Sequence, residues 1–279
     1  MPSHGEDSNF ADPKMEKNET AFCSLWSNRI RIHDCADLFV NDKLNGDYFF
    51  NRLNPFTCPF DTMVIIEEAM RVCMRKGTDC YVYIHDKKSN YESSLLQAGF
   101  ELIDTMQILR AESHKSEHVN PKINVVRVDL ASIDDWVETF CRSFDVFEWR
   151  LEVEKIIDLH YSKLILLLGL IHIRSQPQVG GCAALYANHG VMGLYCLGTI
   201  SEFRGLGLAR RMVGLSLEIA QQQGINPLFL QTFTNDGLLF FYKKLGFRIV
   251  YKKKVYALKR NSKKESCIRH ISRPAINLL

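Results

Sequence analysis

The sequence predicts an α/β (α+β) protein: two tandem copies of one fold, each a mixed central sheet flanked by helices. Three observations predict it. Apolar strand-like runs alternate with amphipathic helical runs. Two segments repeat one pattern at a constant offset of 147 residues. In the second copy only, a glycine-bearing turn, Arg204-Gly205-Leu206-Gly207-Leu208-Ala209, joins an apolar strand to a helix.

The repeat places the elements. In the first copy the helical run Val64 to Lys76 ends at Gly77. The strand Tyr81 to Ile84, then Ala98-Gly99-Phe100, then a last strand from Glu101 to Leu109 follow. In the second the helical run Leu208 to Gln223 ends at Gly224. The strand Leu228 to Leu230, then Leu245-Gly246-Phe247, then a last strand from Arg248 to Leu258 follow. Order, spacing and residue type agree together, as self-similar units require. The offset carries 204–209 onto Thr57 to Thr62, which has neither glycine nor arginine and contains Pro59, a residue without an N–H. It carries Tyr242 onto Leu95. The first copy therefore reads as a degenerate half, kept for packing or for shaping the substrate side.

These units set the boundaries. Residues 1–19 are polar, with Pro2, Gly5 and Pro13, and are expected to be disordered. Residues 20–111 form the degenerate domain, 112–122 a polar, proline-ended linker, 123–260 the second domain and 261–279 a basic tail. Within the second domain the pattern gives a strand at 124–128, helices at 130–144 and 151–161 and a strand at 163–174. A turn at 176–180, a strand at 181–186, a hairpin turn at 187–190 and a strand at 191–200 follow.

Composition narrows the class. With 46% apolar and 24% charged residues, the chain can fill two cores. No run approaches the ~20 apolar residues that a membrane helix needs, and the N-terminus lacks the order of a signal peptide. Nine scattered cysteines form no C-x-x-C and no metal-ligand spacing. The expectation is free thiols in a reducing cytoplasm, with no metal and no membrane partner. The net charge of +3 conceals nine Lys/Arg against one Glu in residues 252–273. No aromatic interleaves those charges after Tyr256, which favours a solvated terminus over a nucleic-acid surface.

The glycine turn is where chemistry is expected. Gly205 and Gly207 let a pyrophosphate approach the backbone. The N–H groups of Leu206, Leu208 and Ala209, at the start of a helix, can surround one anion, and Arg204 can add a charge-assisted bond. Downstream come Gln231-Thr232-Phe233-Thr234-Asn235 and Phe241-Tyr242-Lys243-Lys244-Leu245-Gly246-Phe247. Strand, R-x-x-G-x-A, helix, strand, Asn and Tyr-x-x-Leu-Gly-Phe, in that order, resemble the GNAT superfamily of acyl-CoA-dependent N-acetyltransferases over about residues 123–258.

The resemblance implies two splayed strands holding acetyl-CoA. Leu197, Gly198 and Thr199 would pair with the pantetheine arm, one of their N–H groups polarising the thioester carbonyl. Asn235 would contact the cofactor, and Tyr242 would protonate the leaving thiolate. A phenol of pKa ~10 and a thiol of ~8.5 are close enough for that transfer. Many family members that acetylate peptide N-termini carry a Glu five residues before the Asn; here Leu230 stands there. Asp145 and Glu148, between the first two helices of the domain, are then the candidate bases, ahead of His172 and His189. Direct attack in a ternary complex is favoured over an acetyl-cysteine, because a buried thiol such as Cys196 is inert. The expected function is acetyl transfer to an amine, small molecule or peptide. The alternatives are a non-catalytic CoA-binding scaffold and a nucleic-acid-associated protein acting through its tail.

Overall fold

The structure is a computed structural model that describes residues 11–56, 61–86, 90–112, 120–174 and 176–258. Residues 1–10, most of the 57–62 segment, the centre of the linker and the basic tail lie outside the described residues. In the first half the elements are α1 (Pro13–Trp26), β1 (Asn28–Ile32), β2 (Ala36–Val40), β3 (Arg52–Leu53), α2 (Thr62–Lys76), β4 (Tyr81–His85), α3 (Asn90–Gln97) and β5 (Phe100–Ala111). The second half contains β6 (Ile123–Arg127), α4 (Ile133–Phe144), α5 (Arg150–His160), β7 (Ile165–Ile173), β8 (Gln176–Asn188) and β9 (Val191–Thr199). It continues with α6 (Leu208–Gln222), β10 (Leu228–Phe233), α7 (Leu239–Lys244) and β11 (Arg248–Leu258).

The strands form one sheet in the order β1-β2-β3-β4-β11-β5-β10-β9-β8-β7-β6. The repeat is visible in it: shifted by the same offset, α2, β4 and β5 fall on α6, β10 and β11 to within about a residue at their starts. The order shows what the offset could not. β11 lies between β4 and β5, and β5 lies between β11 and β10. Each half therefore sends its last strand beside the other half's penultimate one. The two exchanged strands pair antiparallel with each other, from Phe100 opposite Leu258 to Arg110 opposite Arg248. This central pair joins the two sheets into one.

Helices cover both faces of the second half. Buried side chains of α1, α4 and α5 share one core with Tyr195, Phe229 and Phe233 of the sheet. Buried side chains of α6 and α7 share another with Leu194, Leu228 and Leu230. The strand period of two puts successive residues on opposite faces and separates the cores.

Four local expectations are corrected. Residues 13–19, expected in the disordered N-terminus, form the start of α1: the Asp12 side chain caps it and Pro13 opens it. Its periodicity is masked because two inward positions, Asn18 and Glu19, are polar yet buried. The 130–144 helix begins at Ile133, after a 3₁₀ turn capped by Asp129. Residues 176–180 are the start of β8 rather than a turn, since pairing with β7 runs out to Gln176 opposite Ile173 and overrides the turn signal of Pro177. Cys35 is disulfide-bonded, whereas Cys23, Cys73, Cys80, Cys141, Cys182 and Cys196 are free thiols. Scattered positions in a sequence do not reveal which sulfurs a fold brings together. Among the described residues no helix is long and apolar enough to cross a membrane.

Candidate active site

β9 and β10 run parallel and pair only from Met192 opposite Leu228 to Leu194 opposite Leu230. Beyond that point the strands part. β9 changes register against β8 between Cys182 and Ala184. Close by, Cys196 takes a left-handed φ of 52°, rare for a residue with a side chain. Such a bulge bends its strand. It opens a V between 196–199 on β9 and 231–233 on β10, and Leu197, Gly198 and Thr199 lie on one arm of it.

Two buried hydroxyls in the V have no hydrogen-bond partner, Thr199 Oγ1 and Thr232 Oγ1. The first is on β9, the second on β10. Thr199 pairs with Gly181, where a Cβ would strike Met212 of α6. Thr232 has the same parity as Leu228 and Leu230, which pack in the core under α6 and α7. Both hydroxyls thus face the α6 side. Orphaned buried polar atoms are uncommon in native proteins, and a chain of amides laid in the V would satisfy both. Gly198 is needed for packing as well: a Cβ there would meet Ser143 Cβ at 2.7 Å.

The V leads to the N-terminus of α6. Gly205 and Gly207 have φ values of 74° and 98°, and a Cβ on Gly205 would meet nothing within 4 Å. Gly207 is the N-cap and no side chain caps the helix. The first-turn N–H groups, Leu208 and Ala209 among them, are open to an anion. Both of those side chains are buried, whereas Leu206 is exposed. Arg204 donates from Nε to the Thr199 carbonyl at 3.1 Å and from Nη2 to the Ser143 carbonyl at 3.3 Å. It therefore ties the end of β9 to α4 beside the cradle. The equivalent helix of the first half, α2, is capped by Asp61, whose carboxylate accepts from Met63 N at 2.9 Å. That carboxylate fills and repels where an anion would bind. The residues present thus fit acetyl-CoA in the second half, and in the first half the equivalent position is blocked.

On the opposite face α1 closes the narrow end of the V. Tyr195 and Gln231 are the first residues past the last β9–β10 pair. The Tyr195 ring stacks on Phe22 at 3.7 Å and its hydroxyl donates to Asn18 Oδ1 at 2.8 Å. Gln231 donates to Glu19 Oε2 at 3.1 Å. Glu19 also receives Lys253 at 2.9 Å, and it pairs with Arg52. All three charged groups are buried.

The remaining expected residues separate. Tyr242 is buried among the side chains of the α6–α7 core, beside Phe241 and Phe247. Burial, and then the Asp236 carboxylate, push its pKa above the ordinary phenol value. Asn235 is exposed, its N–H donating to Asp104 Oδ1 and its Nδ2 to the Ile103 carbonyl. Asp145 is exposed and ends α4 in a left-handed conformation; Glu148 is exposed in the following turn. His172 is exposed at the end of β7 and His189 in the β8–β9 turn. Glu19, which meets Gln231 at the narrow end of the V, was not found from the sequence. It belongs to the first half, and no motif marked it.

The sequence profile of the Acetyltransferase (GNAT) family matches residues 133–247. These residues are a GNAT-family domain, and the fold of the chain is that of tandem GNAT proteins. A GCN5-related N-acetyltransferase from Kribbella flavida superposes with a TM-score of 0.67 at 13% identity, covering 89% of this chain and 95% of that one. One from Sphaerobacter thermophilus gives 0.65 at 12% identity, covering 81% and 77%. A tandem GNAT protein from the clavulanic acid biosynthesis pathway gives 0.52 at 6% identity, covering 75% and 76%. No curated protein sequence matches this chain.

Proposed function

We propose that the protein is an acetyl-CoA:amine N-acetyltransferase working by direct attack in a ternary complex, with one active site, in the second half. The observation that carries this is the V between β9 and β10, lined by two unpartnered buried hydroxyls and leading to an uncapped, glycine-opened helix N-terminus. Acetyl-CoA, when bound, supplies an acetyl group activated as a thioester. The α6 N-terminus holds the pyrophosphate, and the backbone of Leu197 to Thr199 holds the arm and offers an N–H to the carbonyl. Asn235 closes the loop at the open end.

Tyr242 holds a proton for the leaving sulfur. Burial raises its pKa, so the hydroxyl keeps its proton at neutral pH until the thiolate leaves. The exposed carboxylates Asp145 and Glu148 draw a cationic amine to the rim and pass its proton on to water.

A CoA-release assay against a panel of primary amines tests the reading, with Tyr242→Phe as control. CoA release by the wild type with at least one amine, reduced in the variant, supports it. Tight acetyl-CoA binding without turnover on any amine would replace it by the CoA-binding scaffold.

A further inference from the structure

The outer face of α5 mixes leucine with carboxylate. Leu151 and Leu159, two turns apart, are 81% and 70% exposed. With Glu154, Lys155 and Asp158 they line a shallow groove along the helix. Their spacing puts all five on one side of it. The other side is accounted for: Val153, Ile156 and Ile157 are buried in the core shared with α1 and α4. Phe147, exposed four residues before Leu151, extends the apolar surface toward the turn between α4 and α5. The solvent side of a helix is ordinarily polar, and an apolar patch rimmed by charge marks a contact surface.

Charge on this side is as uneven. Residues 129–158 hold nine Asp/Glu and three Lys/Arg. Those three bases are already engaged: Arg142 with Glu202, Arg150 with Asp134 and Glu138, Lys155 with Glu152. They leave the carboxylates of Asp145, Glu148, Glu154 and Asp158 to other cations. The acidic surface also adjoins the V. Ser143 and Phe144 end α4 against Gly198, where a Cβ would meet Ser143 Cβ at 2.7 Å and Phe144 Cε2 at 2.9 Å. Asp145 and Glu148 follow at once, and α5 continues from them.

We propose that residues 259–279, the basic segment after β11, dock on the α5 groove of their own chain and cover the amine entrance. Their charge is the complement of the groove: six Lys/Arg against one Glu. Ile268 and Ile271 stand between Lys263-Lys264 and Arg273, so the segment offers apolar groups to Leu151 and Leu159 as well as cations to the acids. It is also long enough. These 21 residues span up to about 70 Å at ~3.3–3.6 Å each, against a radius of gyration of about 19 Å for a folded chain of this size. A tethered segment acts at an effective concentration of order millimolar, so modest contacts hold it in place.

Docking itself is independent of the reaction; its consequence rests on the acetyltransferase reading above. Asp145 and Glu148 draw the cationic amine to the rim. A lysine-rich segment lying along α5 meets the same carboxylates and competes with the amine for them. The segment then restrains turnover by raising the KM for the amine, while the site that holds acetyl-CoA at α6 is untouched.

The test is zero-length carbodiimide cross-linking of the full chain, with the products mapped by mass spectrometry. Amide links from Lys259, Lys263 or Lys264 to Glu154 or Asp158 within one chain are expected at ~0.1 M salt and lost at ~1 M, where the Debye length has fallen from about 10 to about 3 Å. The double variant Leu151→Ser/Leu159→Ser changes two exposed side chains and keeps every carboxylate; its yield should fall several-fold. Links only between chains would give the groove to a second copy. That result, no links at low salt, or an undiminished yield in the leucine variant each overturns the docking. Kinetics read the consequence separately. The leucine variant and Lys263→Gln/Lys264→Gln should each lower the KM for a primary amine several-fold with kcat little changed. Links as expected beside an unchanged KM overturn the covering of the entrance. A wild type that acetylates no amine overturns the acetyltransferase reading and leaves the cross-linking result to decide the docking.

Discussion

Glu19 Oε1 accepts a hydrogen bond from Lys253 Nζ at 2.9 Å, across 234 positions of the chain. One group lies on the first helix and the other on the last strand, and neither side chain is exposed beyond 1%. Around this pair Arg52 binds the same carboxylate and Gln231 its second oxygen. The cluster fastens the first half against the narrow end of the V in the second.

The cluster predicts an acid-sensitive fold. Burial alone would raise the Glu19 pKa, but Lys253 and Arg52 more than reverse this and hold it below the ordinary carboxylate value. A lowered carboxyl pKa contributes stability that is present above the unfolded value and lost as pH falls through the folded one. Denaturant melts should show stability falling below about pH 4.3, the ordinary Glu value. Glu19→Gln should lose that part of the slope. At neutral pH it should cost about 3–5 kcal/mol, because buried Arg52 is left without a counter-charge and Lys253 keeps only Glu16. A melt at neutral pH equal to wild type would show that the cluster is not what fastens the halves.

One acetyl-CoA should bind per chain. α6 has a glycine N-cap, whereas the equivalent α2 is capped by the Asp61 carboxylate. Calorimetry should give a single site. Gly207→Asp should abolish it, since φ is 98° there and the new carboxylate would stand where the pyrophosphate binds. Two equivalent sites, or retained binding, would refute the assignment to α6.

Tyr242→Phe keeps a buried ring and removes only the hydroxyl. Turnover should fall about 10²-fold, the scale of general-acid help, while acetyl-CoA affinity changes little. Steady-state kinetics beside calorimetry separate the two effects. Unchanged turnover would make Tyr242 a packing residue alone.

The halves should not separate. A fragment of residues 120–258 lacks β5, which leaves the edge of β10 bare and β11 without either neighbour. Unpaired strand edges drive aggregation. The fragment should be insoluble alone and recovered by co-expression with residues 11–112. Size-exclusion chromatography and circular dichroism would show it, and a soluble, folded fragment would mean that β11 can re-pair within its own half.

Local structure was readable in the sequence. The glycine turn before α6, the amphipathic period of α4, the strands β9 and β10 and the repeat that matches α2 with α6 all depend on residues near one another in the chain. Propensity, caps and left-handed glycines act over a few residues. Other features had no local signature. The burial of Asn18 and Glu19 turned a polar segment into α1, because their partners Tyr186, Tyr195, Lys253 and Arg52 lie far away in sequence. Strand order is a choice among partners of similar pattern, and an offset that makes β5 and β11 equivalent cannot say which half each will join. Tertiary pairing made that choice. By doing so it placed Asp104 beside Asn235, two residues whose proximity no spacing in the chain expresses.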